Sequence, residues 1–458
     1  MAEAAERGTP ASLYGLTPRL MAAIDEALRS GQDSHIRAFV RPLHPSDLAD
    51  LVERLDSDDR RRLVAAIGDE LDPESLVWLE DEIREEVMDQ LGMARVAEAV
   101  AELESDDAVE VLESLDATER REVLRQIPAE ERAVLEQGLT FPEDSAGRLM
   151  QRELVAVPPH WTVGQTIDFM RSEAELPEHF FDIIVIDPRH KAIGVVPVSR
   201  LLRARRPVRL TEIMERDFRR IPAAMDREEV ARIFQRYGLV SAPVVDGDGR
   251  LVGMITVDDV VQVLDEEAEE DLMRLARVGG TNVNASVFDT ARTRISWLLI
   301  TLVNTLIAST VIAQFERTIE HIVALAVLMP IVAAMGGNAG MQVVTVVVRA
   351  LATEDLNASN VRRVVLKEIA VGVVNGVVFA SILGTIAGLW FGHARIGVVL
   401  GAAMVFNMVW AGFAGALVPI VIQRLRIDPA VGAGPFLTTT TDVLGFFSFL
   451  GLATLFLL

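Results

Sequence analysis

From about Ala11 to Glu136, apolar residues recur at helical spacing: Leu48, Leu51, Val52 and Leu55, then Val96, Ala99, Val100 and Leu103, then Val109, Leu112 and Leu115. The segments Ser46–Leu55, Ser105–Leu115 and Asp116–Ile127 predict short amphipathic helices stacked as a degenerate superhelical repeat. Asp72-Pro73 places proline at a first helical position. Asp116 with Glu119 makes a capping-box pattern. Near Phe141-Pro142 the period changes. Asp182–Asp187 and Ala192–Val198 predict strands, and Thr162–Arg171 a helix. The set returns as helix Arg227–Tyr237 and strands Ala242–Val245 and Leu251–Val257, with Asp246-Gly247-Asp248-Gly249 as the hairpin turn. Five long apolar runs follow: Ser296–Gln314, Ile322–Val348, Ile369–Phe391, Ile396–Gln423 and Ala430–Leu458. Each approaches or exceeds the roughly 20 residues that cross a bilayer. The expected fold is multidomain: an all-α superhelical N-domain, tandem α/β modules and a five-helix transmembrane domain.

Two of these runs are interrupted by polar residues. In the last, Asp442 is the only charge past Asp428. A carboxylate at membrane depth is costly, so it faces water or a partner rather than lipid. The preceding Gly434-Pro435 and Thr438-Thr439-Thr440-Thr441 predict a broken segment that lines a cavity and offers carbonyls and hydroxyls. The plainer alternative is an Asp bonded to a neighbouring helix. In the second run Pro330 precedes Met335-Gly336-Gly337-Asn338-Ala339-Gly340-Met341-Gln342, which predicts a loosened helix with Asn338 and Gln342 on one face. Close packing through small residues is the alternative there.

Charge divides the chain. Only eight of its 67 acidic residues but ten of its 44 basic ones lie from Ala285 on, so the front carries all of the net charge of −23. An acidic body excludes nucleic acid as a partner, which calls for basic patches. It suits solubility or attraction of cations. Most acids of the N-domain, such as Asp106, Asp107, Glu110 and Glu113, are expected on solvated faces. Zero cysteines remove disulfides, thiolate metal sites and Cys nucleophiles. No Ser/His/Asp arrangement or P-loop is present, so an enzyme is not expected. The start lacks an export-signal pattern. Eight of the ten arginines and lysines of the back flank one side of the spans, which makes that side, and the acidic body, cytoplasmic.

Asp265-Glu266-Glu267-Ala268-Glu269-Glu270-Asp271 puts six acids on a helix that joins body and spans. Like charges at i,i+4 repel, and a divalent cation relieves that repulsion; a solvated linker helix is the alternative. In the spans, one carboxylate among amides, hydroxyls and carbonyls is an all-oxygen environment for a hard cation. It suits Mg²⁺, which keeps part of its water. Ca²⁺ and Mn²⁺ fit the same argument.

The repeated α/β unit, opened by Arg148-Leu149-Met150 and Glu212-Ile213-Met214 and closed by Gly253-Met254-Ile255-Thr256-Val257-Asp258-Asp259, resembles a pair of cystathionine-β-synthase (CBS) domains. Such pairs often bind adenine nucleotides through the Asp of a Ser/Thr-x-x-Asp pattern. Thr256 and Asp259 keep that pattern. In the first module Arg200 replaces the acid (Pro197-Val198-Ser199-Arg200), which leaves ATP as a partner open. The whole chain resembles the MgtE family of magnesium channels and transporters. Gly336–Gln342, Arg349-Ala350-Leu351-Ala352-Thr353, Asp428-Pro429-Ala430 and Asp442-Val443-Leu444-Gly445 carry the resemblance.

It implies Mg²⁺ as substrate and regulator, a homodimer in the bilayer, and a pore at the dimer axis. The pore candidates are Asp442, Asn338, Gln342, Thr438 and Asp428. It implies that a linker "plug" helix shuts the pore when Mg²⁺ bridges acidic surfaces. The candidate sensor ligands are then Asp106, Glu110, Asp226, Glu228, Asp259, Glu267, Glu270 and Asp271. The chain departs from the family at Met341, Gly434, Gln262 and Gly238, the last two where acids complete a Mg²⁺ site. The expected domains are residues 1–140, 141–206, 207–264, 265–294 and 295–458. A membrane-anchored sensor that does not conduct, and a transporter of Co²⁺ or Mn²⁺, are the rival readings.

Overall fold

The computed structural model describes residues 15–172, 176–177, 179–276, 278, 287–352, 356 and 359–458. They form two compact units, residues 1–267 and 268–458.

In the first unit, short helices run from Pro18–Ser30 to Ala129–Gly138 around one apolar core. Their starts follow the local chemistry. Pro73 opens a 3₁₀ turn capped by Asp72. Asp116 and Glu119 form the capping box expected of them, opening Ala117–Gln126. The repeat has a second signature that apolar spacing did not reveal. Arg60, buried, donates to the carbonyls of Val52 (3.0 Å) and Leu55 (3.1 Å) and pairs with Glu86. One repeat later, buried Arg84 donates to the carbonyls of Val77 and Leu79, both at 2.9 Å, and pairs with Glu110 at 2.8 Å. Arg120 binds the carbonyls of Leu112, Glu113 and Leu115 in the same manner. Each guanidinium satisfies the orphan carbonyls at the end of one helix; the first two also hold the next repeat by a charge.

The α/β part holds two three-stranded sheets of the same topology. In the first, β1 (Ala156–Val157) pairs parallel with β2 (Asp182–Ile186), which pairs antiparallel with β3 (Ala192–Pro197). In the second, β4 (Ile221–Pro222), β5 (Ser241–Val245) and β6 (Leu251–Thr256) repeat the order. Both hairpins carry a register shift at corresponding places, Val185/Ile186 and Val244/Val245. The tight turn needs a left-handed residue: Gly249 (φ 78°) supplies it in the second module and His190 (φ 61°) in the first. β6 runs into the helix Val257–Ala276, so the acidic stretch prolongs the last helix of the second module.

Among its described residues the second unit has five helices long and apolar enough to cross a membrane, as a multi-pass membrane protein requires. They lie in the helices Val287–Ala313, Ala324–Ala352, Val361–Trp390, Ala394–Arg424 and Pro429–Leu457, called spans one to five below. Span three starts earlier than its apolar run, so Arg362, Arg363, Lys367 and Glu368 sit in its first turns. Spans two and five are not broken. Pro330 and Pro435 lie inside continuous helices. The threonine hydroxyls are satisfied within the helix rather than offered to a cavity: Thr438, Thr439 and Thr441 donate one turn back to the carbonyls of Gly434 (2.9 Å), Pro435 (2.8 Å) and Leu437 (3.0 Å). Close packing explains part of the glycine pattern of span two: Gly340 faces Leu437 and Gly415 with no room for a Cβ.

Candidate ion-binding sites

The start of the helix Ser105–Ser114 and the first turn of Val257–Ala276 bring Asp106, Asp107 and Asp259 to one cavity of about 680 Å³. Glu110, Glu113, Gln262 and Glu266 also line it. Asp106, Asp107, Glu110, Glu113 and Asp259 are half-buried, which corrects the expectation of solvated faces for the first four, while Glu266 is exposed. Burial and the facing Asp259 push the Asp106 carboxyl well above its usual range. Burial and the same neighbour raise Asp107 to about 8. Asp259 is raised to about 7 by burial, against the hydrogen bond from Thr256. Two causes thus act in one direction, desolvation and like charge. Among the described residues no three acids converge tightly enough to hold a bare metal ion. The donor set is all oxygen, the chemistry of a hydrated hard cation.

Other predicted sensor residues are already engaged. Glu110 accepts from Arg84 at 2.8 Å, although burial still raises its carboxyl. Asp226 caps the helix Arg227–Tyr237 through the backbone N–H of Glu228 at 2.9 Å. Glu228 lies 3.7 Å from Arg232. Arg227 reaches Glu266 and Glu267, both at 3.1 Å, and Asp144 at 3.4 Å. A tethered cation therefore sits among the acids at this place. Gln262 donates to Glu266 at 3.1 Å. Gly238 is the left-handed cap of Arg227–Tyr237 (φ 61°), a conformation that an acidic side chain would strain. Asp107 and Arg227 were not singled out as site residues from the sequence. A doubled Asp at a helix start is a legible signal for the first; nothing local signals the second.

The weak nucleotide candidates are bonded to each other: Thr256 Oγ1 donates to Asp259 Oδ2 at 2.8 Å. At the matching place in the first module Arg200 pairs with Glu215 at 2.7 Å and donates to the Ile213 carbonyl at 3.1 Å.

In the second unit Glu270 pairs with Arg274, which also reaches Asp428 at 3.0 Å. The other oxygen of Asp428 caps span five at the Ala430 N–H, 2.8 Å away. The side chain of Asp271 lies outside the described residues. Thr438 and Asp442 stand one turn apart on span five and are half-exposed. Among the described residues the Asp442 carboxylate has no hydrogen-bond or ion-pair partner. Asn338 and Gln342, also one turn apart, are exposed on span two. Met341 packs instead into the apolar cluster of Val344 and Leu437, and Gly434 is buried.

Asn407 carries no signal in its local sequence. It is fully buried in span four and donates from Nδ2 to the Val332 carbonyl of span two at 2.8 Å. Its Oδ1 has no partner among the described residues. An interhelical hydrogen bond in a membrane is worth about 0.6 kcal/mol on average. A buried acceptor left unpaired costs about 1–3 kcal/mol.

A helical acidic domain, a CBS pair and, among the described residues, five spans with Asp442 midway along the last define a membrane cation-transport protein. The chain matches the MgtE divalent cation transporter domain over residues 329–452, the MgtE intracellular N domain over 43–144, and CBS domains over 146–207 and 210–266. It is 33% identical to a protein named magnesium transporter MgtE from Thermus thermophilus, over 96% of this chain and 99% of that one. It is 31% identical to the protein of the same name from Bacillus subtilis, over 94% of this chain and 96% of that one. The chain belongs to the MgtE family. A solved structure described as the cytosolic domain of the Mg²⁺ channel MgtE in complex with ATP covers 53% of this chain and 99% of its own. That match has 32% identity and a TM-score of 0.50.

Proposed function

We propose that the chain assembles as a homodimeric Mg²⁺ channel whose ion path runs beside Asp442. The observation that carries this is a partnerless, half-exposed carboxylate in a continuous membrane-spanning helix. Such a group is costly unless it meets water or a cation. Asn338, Gln342 and Thr438 add neutral oxygens and amides, which suits an ion that keeps part of its hydration shell. Asn338 and Gln342 are exposed in a single chain, and a second copy about a two-fold axis would enclose them. The names of the relatives support Mg²⁺ as the ion. Asp428, held by Arg274 and by its own cap, serves to anchor span five in this reading.

The body senses the ion. Hydrated Mg²⁺ between Asp106, Asp107 and Asp259 removes repulsion and favours one packing of residues 1–267. Glu266, Glu267 and Glu270 extend the acidic surface along the same helix. Closure follows if Mg²⁺ binds the shut state more tightly than the open one. The reading does not depend on a nucleotide; Thr256 and Asp259 keep the ribose pattern, and Arg200 replaces its acid in the first module. The domain limits given above, with 265–294 as the plug segment, belong to the same proposal.

The deciding experiment is Mg²⁺ influx into proteoliposomes holding the full chain. Asp442→Asn and Asp442→Ala are expected to lose flux. Influx at the unaltered rate in both would overturn the pore reading. Mg²⁺-dependent compaction of the body with no flux at all would favour the non-conducting sensor.

A further inference from the structure

The transport reading gives no role to a fully buried amide of the spans. The amide of Asn407 lies where three spans meet. It bonds the Val332 carbonyl of span two. A Cβ built at Gly336 of span two would lie 2.8 Å from its amide carbon, and one at Gly445 of span five 3.0 Å from Nδ2. Those two glycines make the space that the amide fills. Gly336 stands two residues before Asn338, and Gly445 three residues after Asp442. A single side chain thus touches both stretches that face the ion in the reading above. Leucine, similar in size, would fill the same space with no acceptor left unpaired, so packing alone does not call for asparagine.

Apolar faces of membrane helices slide and rotate against one another easily, because lipid is as apolar as the partner helix. A directional bond from a buried amide selects one register. We propose that Asn407 is a positioning residue for ion passage: from span four its amide bonds span two and packs against Gly445 of span five, and so fixes where Asn338 and Gln342 stand relative to Asp442. It never meets the ion. The inference rests on the Asp442 pore reading, and the test separates the two.

Full-length protein in proteoliposomes is assayed for Mg²⁺ and Co²⁺ influx as Asn407→Leu, Gly445→Ala and Asp442→Asn, with thermal melting in detergent alongside. Asn407→Leu is expected to melt no lower than the unaltered protein while its Mg²⁺ influx falls about tenfold. The Mg²⁺-to-Co²⁺ influx ratio should fall with it, a readout that loss of packing alone would not move. Gly445→Ala nudges the same amide without deleting it and is expected to lower the ratio by a smaller factor. It decides the matter should the leucine variant fail to fold. An unchanged ratio in Gly445→Ala, or unchanged flux and ratio in a folded Asn407→Leu, overturns the proposal. If Asp442→Asn loses flux in that same experiment, the pore reading stands and only the role of Asn407 falls. Influx through Asp442→Asn at the unaltered rate would instead remove the pore reading itself.

Discussion

Asp442 and the group of Asp106, Asp107 and Asp259 are carboxylates partly withdrawn from water, but the fold handles them in opposite ways. Asp442 is kept apart from other charge: no base or second acid pairs with it among the described residues of spans one to five. The three acids of the body are pushed together: burial raises all of them, Asp259 adds to the rise of Asp106 and Asp107, and Asp258 adds to that of Asp259. An isolated carboxylate attracts a cation without trapping it, which suits passage. A crowded set binds a cation because the ion relieves strain already present, which suits a sensor. The cationic side chains sharpen the contrast. Arg84, Arg148 and Arg227 line the cavity of the body, whereas the spans carry their arginines near the ends.

The largest effect should come from the isolated site. Asp442→Asn is expected to cut Mg²⁺ influx on the order of 100-fold, the factor that about 3 kcal/mol of lost attraction to a divalent ion implies. Influx within a few-fold of the unaltered protein would end the comparison. The crowded site should respond through regulation instead. Asp107→Asn with Asp259→Asn should leave conduction intact in low Mg²⁺ and raise the Mg²⁺ needed for closure about tenfold, measured as flux against internal Mg²⁺. Equal loss of conduction at every Mg²⁺ level would contradict the division of labour.

A pH series gives a third, smaller effect. These carboxyls bind protons more tightly folded than unfolded, where their ordinary value is 3.8. Without Mg²⁺ the body therefore loses stability as pH rises from about 4 to about 8. Resistance to protease in Mg²⁺-free buffer should be greater near pH 6 than near pH 8, and added Mg²⁺ should restore more at the higher value. The reverse order would show that repulsion in this cluster does not govern packing. The smallest effect is expected for Arg227→Gln, which removes a partly exposed ion pair worth up to about 1 kcal/mol. Its melting temperature without Mg²⁺ should drop by a few degrees and recover more on adding Mg²⁺ than that of the unaltered protein.

Apolar spacing alone determined most of the architecture. Periods of 3.6, then two, then long uncharged runs correspond to the stacked helices, the paired sheets and the five spans, because burial of apolar surface at those periods is what each element is for. The capping box at Asp116 and the turn at Asp246–Gly249 were legible for a similar reason: they bond only to near neighbours. Asp442 stood out because charge in a long apolar run is rare.

Tertiary structure decided the rest. Pro330, Pro435 and the four threonines predicted broken helices, yet both helices run through them, and the hydroxyls of Thr438, Thr439 and Thr441 bond one turn back along their own helix. Asp106 and Asp107 resembled any solvated acid until Asp259, some 150 residues away in sequence, was folded opposite them. Nothing beside Asn407 in the chain marks it, since its partners Val332, Gly336 and Gly445 lie on two other helices. Local pattern reports what a residue does for its own element. Which distant groups share its low-dielectric surroundings, and hence its charge, its bond or its cost, exists only after the elements pack.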